Sequence, residues 1–116
     1  MEDARALIIQ SLRVEPEFQR PTAIVVGLGH AADFLATTGN TEVSARLIGA
    51  FDVTIEDIGG SEPWVLKMRD DTLAKINEAL ESDVIAIALD EGRKLTVERA
   101  IGLAIKTIEG SSAARQ

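Results

Sequence analysis

Cysteine and tyrosine are both absent from the 116-residue chain. Without thiols there is no disulfide and no thiolate metal site, which fits a reducing, cytoplasmic setting. Proline stands only at Pro16, Pro21 and Pro63, and the aromatics are Phe18, Phe34, Phe51 and Trp64. A core drawn from this set must be aliphatic and alanine-rich, a composition that leans toward helix. No apolar run approaches the roughly 18 residues of a membrane span. The start, MEDARALIIQ, is acidic and lacks the basic region of a signal peptide. Basic patches are missing as well. Asp and Glu number 19 against 12 Lys and Arg, and the formal charge of −7 is spread along the chain. Such a surface repels phosphate backbones, so no nucleic-acid partner is expected for this region alone. The pairs Lys67/Arg69 and Arg93/Lys94 read as solvated helix surface.

The length fits one domain, which buries about two-thirds of its unfolded surface. Within it the apolar residues recur mainly at helical spacing. Ala4, Leu7, Ile8 and Leu12 form one stripe. Pro16 and Pro21 then interrupt the pattern and place a connection there. Ile24, Leu28, Ala31 and Leu35 form a second stripe, stopped by Gly39, after which Asn40-Thr41 can cap a new helix. Leu47, Ile48, Phe51, Ile55 and Ile58 follow, with Glu42 placed four residues before Arg46 for a helical ion pair. Gly59-Gly60 ends that run. Ser61-Glu62-Pro63 reads as a cap with proline in the first turn, leading into Leu73, Ile76 and Leu80. Asp71/Lys75 and Asp90/Lys94 have the same four-residue spacing. The run VIAIAL, Val84 to Leu89, fits a strand or a buried helix. Thr96 caps a last helix that carries Glu98 in its first turn and Val97, Ile101, Ala104, Ile105 and Ile108 on one face. Gly110 is expected to stop it, leaving 111–116 as a frayed tail.

Two readings stand at IVVGLGHAA, Ile24 to Ala32. One is helix, in which Gly27 and Gly29 each lose about 1 kcal/mol against Ala unless a close helix contact offsets it. The other is a strand followed by G-x-G-x-x-A, the start of a Rossmann-like nucleotide-binding unit. There Gly27, Gly29 and Ala32 would shape the phosphate turn and Asp52 would meet a ribose. That motif needs a β-α-β setting, and the segment around Asp52 has helical rather than alternating periodicity.

The remaining polar residues give little sign of catalysis. His30, the only histidine, shares a helix face with Asp33, a spacing typical of an exposed polar edge; a metal site would need a third ligand. Ser44 and Ser61 lack a G-x-S-x-G context. Asp70/Asp71 and Asp90/Glu91 read as solvated faces rather than paired catalytic carboxylates. Trp64 reads as a core anchor at a helix start. No cofactor and no metal site are expected.

Four stretches carry a family likeness, and the first, EDARALIIQSL, looks like the second helix of one tetratricopeptide-like repeat. RPTAIVVGLGHAADFLATTGN resembles the first helix of a tetratricopeptide-like repeat. TEVSARLIGAFDVTIEDIG is similar to a second helix of the A-R-L-L-G-A kind. DEGRKLTVERAIGLAI matches a closing pair with the pattern E-G-R-x-L-[ST]-x-E-x-A-I-x-L-A. Together they resemble the C-terminal helical region of large ATP-binding bacterial transcriptional regulators of LuxR and SARP type, and of relatives with adenylate-cyclase domains. The likeness covers nearly the whole chain and begins inside a repeat, which implies a fragment of a larger regulator or a truncated stand-alone product. It departs from the family at first-helix aromatic positions, which are aliphatic or Ala here. The G-x-x-x-x-G-K-[ST] loop and a DNA-binding helix-turn-helix are missing, so the resemblance assigns no ATP or DNA activity to these residues.

The resemblance implies an all-α, TPR-like stack of about six antiparallel helices over residues 1–110. It implies a non-catalytic scaffold that binds a protein partner or effector, or docks on missing repeats, or self-associates. Its expected surface is a groove lined by first helices such as 22–37, near His30 and Asp33.

Overall fold

The computed structural model describes Ala6, residues 8–10, Leu12 and residues 21–114, and every element in these residues is helical. Five helices have defined bounds: α1 Pro21–Thr37, α2 Thr41–Ile58, α3 Pro63–Ala79, α4 Ser82–Arg93 and α5 Val97–Ala114. Ala6, residues 8–10 and Leu12 are helical too, whereas Ala4, Leu7, Pro16 and the rest of the N-terminal connection lie outside the described residues. The fold class is therefore all-helical. VIAIAL belongs to α4, and Ile24 to Ala32 lies inside α1. Among the described residues no helix is long and apolar enough to cross a membrane.

Local chemistry sets most of the boundaries. Gly39 has φ of 95°, and the Asn40 amide donates back to the Leu35 carbonyl at 2.8 Å. Gly59 repeats the device, with φ of 87° and the Gly60 amide on Ile55 O at 3.0 Å. Both are left-handed glycine stops that satisfy carbonyls at a helix end. Thr96 caps α5 by accepting the Arg99 amide on its hydroxyl at 3.2 Å. Asn40 and Glu62 occupy cap positions without a side-chain cap bond. Gly110 does not stop α5, which runs to Ala114, because it is not in the left-handed conformation that closes the other two helices.

The predicted stripes form the core. Val25, Leu28, Leu35, Leu47, Ile48, Phe51, Ile76 and Ile108 are fully buried, and Leu12 joins them from the N-terminal helical residues. Ser44 is buried without penalty because its hydroxyl donates to Ala32 O at 2.6 Å, tying α2 to α1. α2 is the hub: it contacts α1, α3, α4 and α5, and its most extensive partner is α4. α1 and α2 fold back on each other as an antiparallel pair should, but α3 and α4 touch only slightly. The reason lies in Leu80 and Glu81, both extended (φ −126°, ψ 151° and φ −72°, ψ 153°), which redirect the chain so that α4 lies on α2. Regular sequential pairing thus stops after the first pair.

The α2–α4 contact is made backbone to backbone. A Cβ at Gly92 would lie 1.8 Å from Arg46 O, and one at Gly49 would lie 2.2 Å from Leu89 O. Neither obstacle is a side chain that can swing away. Ion pairs flank this seam. Arg93 donates to both carboxylate oxygens of Glu56 at 2.9 and 3.0 Å. Arg46 links Glu91 across the seam at 3.2 Å and Glu42 on its own helix at 2.7 Å. Arg69 clamps Asp52 at 2.6 and 2.8 Å, joining α3 to α2.

Gly92→Ala and Gly49→Ala should each lower stability in chemical denaturation by about 1–3 kcal/mol or more, the cost of overpacking against fixed backbone. Gly102→Ala, in an exposed helix position with no atom near the added methyl, should raise it by up to about 1 kcal/mol. Neutral behaviour of both seam variants would contradict the crossing. The Arg93 hydrogen bond holds the Glu56 carboxyl below its ordinary value. Its small stabilisation is therefore present above the unfolded glutamate pKa of about 4.3 and fades as pH falls through the lower folded value. Glu56→Gln should lower stability slightly above about pH 4.3, converge with the parent chain at acid pH and so flatten the acid side of the stability–pH curve.

Candidate interaction groove

The turn Gly59-Gly60, with φ of 87° and 125°, lifts the chain over the end of α2 and starts α3 beside the N-terminal half of α1. Pro63 takes the first helical position, where its missing N–H costs nothing. Val65 turns inward and is 2% exposed, whereas Trp64, one residue earlier, is 52% exposed. The expected core anchor is therefore a surface residue. Stepping back from Ile76 by four, four and three reaches Thr72, Met68 and Val65, so helical phase gives the inward position to Val65 and leaves Trp64 on the flank. That register is legible in the sequence, and it outweighs the position of Trp64 just after Pro63 at the helix start.

Trp64 forms one wall of a groove of about 620 Å³. Ala23, Val26, Gly27 and His30 of α1 face Ser61, Glu62, Trp64 and Val65 across it. The Trp64 indole N–H donates to Glu62 Oε2 at 2.6 Å, which fixes the ring. His30, Ser61 and the second Glu62 oxygen make no side-chain hydrogen bond or ion pair to another described residue.

A shallower depression of about 500 Å³ lies on the other side of Trp64, lined by Asp33, Lys67, Met68, Asp71 and Lys75. Its charges neutralise each other. Lys75 Nζ reaches Asp33 at 2.7 Å and Thr37 Oγ1 at 3.0 Å, and Lys67 pairs with Asp71 at 2.9 Å. The spacing expectation of an Asp71–Lys75 pair is thus replaced by two others, because Lys75 faces α1 and finds Asp33 there. His30 and Asp33, expected to mark one groove, fall into two adjoining ones with Trp64 as the ridge between them.

The nucleotide-motif residues do not converge. Gly27, Gly29 and Ala32 sit within α1, and Ile24 to Val26, which the nucleotide reading made a strand, are helical with them. Gly29 instead admits its neighbours: a Cβ there would lie 2.4 Å from Met68 Cε and 3.1 Å from the Phe51 ring. Asp52, the supposed ribose acid, is held by Arg69. Ser44 donates its hydroxyl to the backbone. Asp70, Asp71, Asp90 and Glu91 are exposed and each pairs with a cation. Among the described residues no group of three or more His, Asp or Glu side chains is placed to hold a metal. Comparison with family models, with curated proteins and with solved structures gives no match to this chain.

Trp64→Ala should cost under about 1 kcal/mol in denaturant unfolding, as surface substitutions do, whereas Phe51→Ala should cost about 3–5 kcal/mol. Trp64 emission should also be quenched readily by iodide. A core-sized loss at Trp64 would contradict its placement.

Proposed function

We propose that this chain is a non-catalytic, TPR-like scaffold module of a bacterial signalling or transcription regulator. It works in the cytoplasm and receives a protein partner or an effector at the face between α1 and α3. The observation that carries the reading is the half-exposed Trp64 on an apolar groove edged by His30 and Ser61, which make no side-chain hydrogen bond to another described residue, and by Glu62, whose carboxylate bonds only the Trp64 indole among them. Tryptophan anchors are common at binding hot spots, and an apolar concavity with a few convergent polar groups is the usual form of a binding site. α1 and α3 are the helices that a repeat architecture would call first helices, and in such architectures the concave binding surface is extended and built from repeated elements.

The sequence resemblance adds support from a second direction. Its two stretches, ARLIGA and DEGRKL, contribute Gly49 and Gly92 respectively, the two residues at which α2 and α4 meet. A motif glycine in each of two distant segments has a physical reason if the family shares this crossing.

A photoreactive phenylalanine analogue placed at position 64 and, separately, at the exposed position 106 tests the reading in the source cell. Position 64 should give a discrete protein or effector adduct that position 106 does not. The same adduct pattern from both positions, or none at position 64, would count against a receiving face between α1 and α3.

A further inference from the structure

We infer that the groove beside Trp64 takes a small organic cation with an apolar body, of the alkylammonium or arylammonium class. The inference rests on the reading of this groove as a receiving face and names the chemistry received there.

The charge pattern makes the selection. Around the neighbouring surfaces the carboxylates already have cations: Asp33 has Lys75, Asp52 has Arg69, Glu56 has Arg93 and Asp71 has Lys67. Glu62 has none among the described residues, and it is the one acidic residue among those described as lining the groove. No Lys or Arg stands among those residues. An anion entering here would meet a carboxylate that no described cation neutralises, on a chain of net charge −7. A cation would meet the reverse.

The indole adds a second, directional preference. Its N–H bond to Glu62 lies in the ring plane, so the carboxylate sits at the ring edge and the bond occupies neither face. A quaternary or alkylated ammonium seated within about 6 Å of the ring centroid is attracted by the negative face of the ring. The same ammonium is attracted by the Glu62 charge. Its apolar body would lie on Ala23, Val26 and Val65, displacing water from a surface that holds it weakly. The volume of about 620 Å³ suits a ligand of ordinary effector size, for which pockets run about 300–1,000 Å³.

Trp64 is the only tryptophan in a chain without tyrosine, so its emission reports on the two depressions it borders, and the Glu62 variant assigns the signal to this one. Three probes of similar shape can be titrated into the whole chain: benzyltrimethylammonium, the neutral tert-butylphenylmethanol and the anionic phenylacetate. The cation should give a saturable change in Trp64 emission with affinity about tenfold above the neutral probe, and the anion should give none. Glu62→Gln keeps an acceptor for the indole N–H and removes the charge, so it should reduce the cation's advantage severalfold and leave the neutral probe unaffected. Equal binding of cation and neutral probe, preference for the anion, or an unchanged preference in Glu62→Gln would overturn the inference. An adduct at position 64 that persists alongside a failed cation titration would remove this ligand class and leave the receiving face standing. Failure of both would remove the face itself.

Discussion

The backbones of α2 and α4 meet at Gly49 and Gly92, and the positions of the other helices follow from that contact. A glycine inside a helix costs about 0.5–1 kcal/mol relative to alanine, so two of them facing each other need a compensating gain. The gain is close approach. Without Cβ atoms the two helices bring carbonyl and Cα groups into direct contact, and the larger side chains around them interdigitate at the density of a protein interior. Arg46–Glu91 and Arg93–Glu56 flank the seam. Exposed pairs of this kind contribute little stability each; their value lies in fixing which carboxylate faces which guanidinium, and so the register of the crossing.

With α4 held against α2, α3 has no close sequential partner and lies across α1 and α2 instead. Met68 fits against Gly29, and the Arg69–Asp52 clamp holds the other side. This arrangement sets the helical phase of α3. Val65, Thr72 and Ile76 point inward, and Trp64 emerges at the edge next to α1. The groove is thus a consequence of the packing: small residues at Ala23 and Gly27 leave the space, and the start of α3 provides the wall.

Much of this was legible in the sequence, because helix existence depends on periodicity and stops that are local. Left-handed Gly39 and Gly59, the Thr96 cap and the Ile24–Leu35 and Leu47–Phe51 stripes lie where the pattern places them. The ambiguity at Gly27 and Gly29 also has a local answer, since four-three-four spacing continues through both glycines and only helix accommodates it. What escaped was tertiary. Nothing in the sequence alone announces that two extended residues at Leu80-Glu81 send α4 to α2, that Lys75 reaches Asp33 rather than Asp71, or that Gly49 and Gly92 belong together. Trp64 stands at a helix start, where an apolar side chain suits a core anchor, but helical phase gives the inward position to Val65. His30 and Asp33, adjacent on one helix, were separated by a residue from another element.

Native-state hydrogen exchange tests the central claim most directly. If the α2–α4 seam is the structural hub, amides of α2 around Gly49 and of α4 around Gly92 should exchange only through global unfolding. Their opening free energy should equal that of denaturant unfolding, with the ends of α3 and α5 opening more easily. Seam amides that open locally while another helix retains full protection would contradict the account.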